Sequence, residues 1–217
     1  MSFPGSPRLV KGGLVLLDPE TGAQRRVINL QYNPDSVQRT LQPMLAGTDN
    51  GDPSEAFRIK GPPVETIRLE AEMDATDLLE HPDQAPGVLE DGLAANLAAL
   101  ETVVYPASAD LQWNRLLAVL GMVEILPVQA PLALFVWSRN RVVPVRITEV
   151  SVTEEAFDPD LNPIRARLSL AFRVLSVNDL AFESLGASVF LAYQKRKESL
   201  ASTRSGDLRK LGVDSIL

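Results

Sequence analysis

"VVPVRITEVSVTEEAFDPDLNPIRARLSLAFRVL", Val142 to Leu175, consists of two alternating apolar runs joined by an acidic, proline-bearing connection. In the second run the even positions Ile164, Ala166, Leu168, Leu170, Phe172 and Val174 are apolar or small. The odd positions carry Arg165, Arg167, Ser169, Ala171 and Arg173. A period of two is the pattern of a strand with one face on a core. A slip of one residue would bury the arginines, so the register is fixed. Such a strand runs to about 36 Å at roughly 3.3 Å per residue, longer than a small sheet usually needs.

The first run behaves differently. Val143, Val145 and Ile147 are odd, whereas Val150 and Val152 are even. The inward face changes parity near Thr148 and Glu149, which calls for a β-bulge or a sharp bend. Bends of this kind let one strand serve two packed sheets or turn the corner of a barrel. The stretch therefore predicts a mainly β chain with flanking helices, and favours a closed or nearly closed β-barrel over a flat open sheet.

Working outward, "LALFVW" (Leu132–Trp137) is apolar on both faces, which places it centrally or under a partner chain, and "SRN" is a tight connection to the next strand. Near the N-terminus, two apolar runs around "DPETGA" read as a hairpin. The Gly-, Pro- and Asp-rich segment from Asp35 to Pro63 reads as a long loop with room for strand pieces. From Val64 the alternation returns, with Ile67, Leu69, Ala71 and Met73 on one face. The nine carboxylates from Glu65 to Asp91 read as a solvated face, since their spacing matches no calcium loop.

Two helices interrupt the strands. Leu89, Leu93, Leu97, Leu100 and Val104 recur at helical spacing before Pro106. Ser108–Gly121 forms a second short helix, with Ser108 or Asp110 as its cap and Gly121 as its stop. After the barrel pattern, Leu185, Val189 and Tyr193 are helically spaced and lead to Lys195, Arg196 and Lys197, cations suited to a helix end. The predicted division is a β-barrel domain over 1–176 and a helical extension over 177–217. The apolar residues Val213, Ile216 and Leu217 close the chain and favour docking on a neighbour.

Composition narrows the function. The 217 residues are 45% hydrophobic, enough for a core, and contain no cysteine, which removes disulfides and thiolate chemistry. A net charge of −7 argues against a nucleic-acid coat. No apolar run approaches the roughly 20 residues of a membrane span, and "MSFPGSPRLVKGG" lacks the cationic start and apolar core of a leader. The expectation is a chain assembled in the cytoplasm, without membrane insertion.

No catalytic constellation stands out. His81 is the only histidine and sits in a loop-like context. No phosphate-cradling glycine motif occurs, and the tryptophans, Phe135 and the tyrosines read as core. Glu154, Glu155, Asp158 and Asp160 cluster in the hairpin connection without the glycine or bidentate carboxylate that a metal loop needs. They read as an exposed acidic tip that meets arginines of another subunit, with Arg165, Arg167 and Arg173 as the basic counterparts. No enzyme activity, cofactor or metal is expected.

Three segments resemble a known family: "LQYNPDSVQRTLQP", "GPPVETIRLEAEMDATD", and above all "LALFVWSRNRVVPVRITEVSVTEEAFDPDLNPIRARLSLAFRVL". They are similar to the tube-type proteins of contractile injection systems, in particular the tube-initiating and baseplate-adaptor members of phage-tail-like particles. The resemblance covers roughly residues 8 to 176. It implies a barrel of two packed sheets with a flanking helix, assembled as a hexameric ring around a channel, with a neighbouring tube ring, spike or hub, and baseplate or sheath proteins as partners. Such a particle stays in the cytoplasm, is released, or is membrane-anchored. The short helical tail stands where many adaptor members carry a LysM module. The alternatives are a major inner-tube subunit of the same particle and a soluble ligand-binding β-barrel.

Overall fold

The computed structural model describes residues 10–45, 58–76, 90–121, 129–204, 206 and 208–212. Its strands are β1 (Gly13–Leu17), β2 (Gln24–Asn29), β3 (Val37–Leu45), β4 (Ile59–Asp74), β5 (Leu132–Ser138), β6 (Arg141–Phe157) and β7 (Pro163–Val174). Its helices are α1 (Ala94–Glu101), α2 (Ser108–Val119) and α3 (Leu185–Ser202). All seven strands form one antiparallel sheet in the order β2-β1-β5-β6-β7-β4-β3.

The parity change in the first hairpin arm is a bulge. Ile147 pairs with Phe172 and Glu149 with Ala171, so Thr148 is the extra residue, and its hydroxyl donates to the Ala171 carbonyl at 3.1 Å. The bulge keeps Val143, Val145 and Ile147 on the same face as Val150 and Val152. Cross-strand rows then run through Ile67, Phe172 and Ile147, through Leu69, Leu170 and Val150, and through Ala71, Leu168 and Val152. Phe135 continues that face between Leu14 and Val143, with its ring 5.3 Å from that of Phe172. These side chains make one contiguous core.

The mainly β architecture with flanking helices agrees with the sequence, but the sheet is not closed. Strands β2 and β3 are its two edges, and no ladder among the described residues joins them. The sheet is curled nonetheless. The Gln31 side-chain amide donates to the Asp74 carbonyl at 2.6 Å and accepts from its N–H at 3.0 Å, tying the chain after β2 to the end of β4.

Several local expectations change. The Asp35–Pro63 loop contains β3 and the start of β4; the first half of β4 pairs with β3 alone, because β7 joins only from Thr66. Among the described residues the first helix runs over Ala94–Glu101, with Glu90 and Asp91 also helical before a turn at Gly92 and Leu93. Leu93, Leu97 and Leu100 are buried as its stripe predicts, whereas Val104 is exposed and Leu89 lies outside the described residues. Helix α2 is capped neither by Ser108 nor by Asp110, since Ala107 holds the N-cap position, but Gly121 ends it with a left-handed φ of 80°. Trp113, expected in the core, is 59% exposed. Helix α3 continues to Ser202, so Lys195, Arg196 and Lys197 lie within it and not at its end. Its buried residues are Gly186, Ala187, Phe190 and Tyr193, and Phe190 and Tyr193 join the strand core.

The hairpin connection is fastened to α1. The Leu93 amide donates to the Pro163 carbonyl at 2.9 Å, and the Asn162 side chain donates to the Glu90 carbonyl at 2.9 Å. Between these contacts Gly92 has φ 57°, and a Cβ there would stand 2.5 Å from the Pro163 oxygen. Replacing Gly92 by alanine is expected to destabilise the fold by about 1–3 kcal/mol, read as a lower urea midpoint. An unchanged midpoint would contradict this close approach. Deleting Thr148 should remove the bulge and leave Ile147 opposite Phe172 and Val150 opposite Leu170 in regular alternation, so urea unfolding should stay cooperative; a loss of cooperativity would contradict Thr148 as the extra residue.

Candidate functional site

The outward face of β4, β7 and β6 is a polar ladder. Glu72, Arg167 and Thr153 make one row, and Asp74, Arg165 and Glu155 the next. Arg165 reaches the Asp74 carboxylate at 2.8 Å, and Arg167 lies 3.5 Å from both Glu72 and Glu155. Arg173 donates to Asp179 at 2.7 Å. The structure thus gives all three sequence-predicted arginines carboxylates of their own chain. The Tyr32–Ser36 loop overhangs this face and bounds a groove of about 550 Å³, with Glu70, Glu72, Arg167 and Ser169 among its lining.

The acidic tip divides by role. Asp158 builds the turn: its Oδ1 accepts from the amides of Asp160 and Asn162, and its Oδ2 from the Asn162 side chain. Those bonds, from the Asn162 side chain first, hold its carboxyl below the ordinary range. Glu155 belongs to the Arg167 row, while Glu154 and Asp160 are exposed. Val213, Ile216 and Leu217 lie outside the described residues, as does His81.

The reading of Glu65 to Asp91 as a solvated face fails at its first member. Glu65 is 3% exposed. Arg39 Nε and Nη2 donate to its Oε1 at 2.8 and 2.6 Å, and Arg39 Nη2 also donates to Tyr193 Oη at 2.9 Å. The Lys197 ammonium lies 3.8 Å from Glu65 Oε2 and 4.3 Å from the centre of the Tyr193 ring. Burial opposes the Arg39 charge, but hydrogen bonding and attraction from Glu65 outweigh it and raise its pKa. Burial and the Glu65 charge raise Tyr193 above the usual phenol value, and burial lowers Lys197 despite Glu65. The cluster anchors α3 to the β3–β4 ribbon. Parity could have found it: Glu65 shares the odd, inward set with Ile67, Leu69, Ala71 and Met73.

The exposure of helix α2, which the sequence had placed correctly, is a second feature that residue spacing did not reveal. None of its residues is buried, and Leu111, Trp113, Leu116 and Val119 are all exposed. Among the described residues no group of His, Cys, Asp and Glu is arranged to hold a metal, and no helix is long and apolar enough to cross a membrane. No protein-family model matches the chain, and no curated protein matches it.

Removing one partner of a buried charge cluster strands the others. Glu65→Ala should cost about 3–5 kcal/mol in urea unfolding and loosen α3, seen as faster amide exchange there; wild-type exchange would refute the anchor. In acid, Asp74 and Asp158 contribute to the limb beside Asp18, which the Thr21 amide and the Arg25 side chain hold well below the ordinary carboxylate range. Asp74 is lowered by the Thr76 hydroxyl and amide and then by Arg165, and Asp158 by Asn162. Both folded pKa values lie below the ordinary 3.8, so their contribution is complete above that value and is lost as pH falls from it through the lower folded values. The Asp74→Asn/Asp158→Asn double variant should unfold with a shallower acid dependence in a circular-dichroism titration.

Proposed function

We propose that this chain is a non-enzymatic structural subunit at the start of the inner tube of a phage-tail-like contractile injection system. In this reading it forms a hexameric ring that connects the spike or hub to the tube. The observation that carries it is the β6–β7 hairpin. Its "FDPDLNPIRA" connection is the segment most similar to the tube-type family, and it joins the longest pair of consecutive strands in the sheet, with a bulge where that pair bends.

Two further features support assembly. Among the described residues the open sheet leaves backbone donors and acceptors of β2 and β3 without a strand partner, and a neighbour's strand or helix would cover them. The uncovered apolar side chains of α2 are of the kind that oligomers bury. The finer fold reading, a barrel of two packed sheets, then belongs to the ring, where adjacent subunits complete what one chain leaves open. A major inner-tube subunit would have the same fold, but the α3 tail makes its two faces unlike each other.

Particles from a strain lacking this protein should be absent or tubeless in negative-stain images, and quantitative mass spectrometry of wild-type particles should count single-ring copy numbers. Normal-length, contractile particles without it would overturn the reading, and hundreds of copies would assign it to the tube wall. Truncation after Ser205 should leave rings intact but unable to join the baseplate, scored by co-purification with baseplate proteins.

A further inference from the structure

We propose that Arg146 and Arg173 form a carboxylate-binding site for the β6–β7 tip of an adjacent copy of this chain. The inference rests on the ring reading and names the two halves of one contact. Arg146 and Arg173 are directly opposite in the β6–β7 ladder, where like charges repel. The nearby carboxylate, Asp179, gives Oδ1 to Arg173 and has Oδ2 occupied by the Ser176 amide and hydroxyl. The Arg173 Nε–H is buried without an acceptor. Arg146 is exposed and makes no ion pair among the described residues.

The next row adds to the cationic excess. Arg68 and Glu149 flank Ala171, and both are exposed without an ion pair among the described residues. The Thr148 bulge places Glu149 outward beside Arg146, so this root of the hairpin holds three guanidiniums against Glu149 and Asp179. Arg165 and Arg167, by contrast, are already matched by Asp74, Glu72 and Glu155. The unmet demand for an anion lies at the root.

The tip is the complementary half. With Asp158 engaged in its own turn and Glu155 beside Arg167, Glu154 and Asp160 are left exposed with no ion pair among the described residues. Phe157 and Leu161 are exposed beside them. Ala156 and Leu161 hold left-handed backbone at φ 56° and 67°, a strained shape for residues with a side chain and one that marks contact sites. From the root the tip is about 23 Å away along the strand at Glu154 and about 35 Å at the connection, at roughly 3.3 Å per residue, too far to meet within a subunit. Donor and receptor on the same chain are what a head-to-tail contact between identical copies needs, and such a contact closes into a ring when each step adds a rotation. Paired guanidiniums suit it because each grips a carboxylate through two parallel N–H donors.

The test is a charge swap followed by sedimentation velocity and native mass spectrometry. Arg146→Glu alone, and Glu154→Arg/Asp160→Arg alone, should each raise the concentration needed for rings at least tenfold while circular dichroism stays that of the wild type. An equimolar mixture of the two should recover rings containing both variants in equal number, because every contact in an alternating ring is again between opposite charges. Rings from Arg146→Glu at wild-type concentration, or a mixture no better than its components, would overturn this contact and leave the ring reading standing. A wild-type chain that stays monomeric at every concentration, within particles as well, would overturn both.

Discussion

The register of β6 on β7 is the constraint on which the rest of the structure depends. Eleven pairings connect the two strands, and they place Phe172, Leu170 and Leu168 on one face while sending Arg173, Arg167 and Arg165 to the other. The bulge at Thr148 reconciles that register with an odd-to-even change in β6. Without it, Glu149 and Ser151 would occupy the inward positions that Val150 and Val152 fill. The curvature that results lets Gln31 reach Asp74 from across the sheet.

The charges obey two different rules on the two faces. Outside, arginine and carboxylate rows lie in water, where each pair contributes little and the pattern mainly sets which surfaces attract. Inside, Glu65 is withdrawn from water, and its environment must supply what solvent would. An apolar residue of similar size could hold that place as firmly. A buried carboxylate that accepts from Arg39 and lies by Lys197 instead selects one position for α3 along the ribbon.

Much of this was legible in the sequence because strand alternation is a local signal. The bulge, the hairpins at Asp18–Ala23 and Arg139–Asn140, the central position of β5 and the buried stripe of α1 all follow from residue spacing. What escaped was set by contacts distant in sequence. Closure of the sheet depends on whether β2 finds β3, which no alternation encodes. Gly92 ends up against Pro163 only once α1 has docked, and Trp113 looks like a core residue until none of the residues of its helix proves to be buried. At the candidate site, the acidic tip was visible as composition. The division of its members, Asp158 to the turn and Glu154 and Asp160 to solvent, came from hydrogen bonds that composition does not carry.

The Glu65 cluster also orders events in time. Its hydrogen-bond partners on Tyr193 are 154 residues from Arg39 and 128 from Glu65 along the chain. On a ribosome the ribbon emerges long before the helix that completes it, so the contacts of Tyr193 and Lys197 to Arg39 and Glu65 form only after β3 and β4 have been made. An interrupted chain would expose that unfinished ribbon to proteases, whereas a completed one seals it. The strand ribbon is thereby finished by a helix that follows it in the chain by more than a hundred residues.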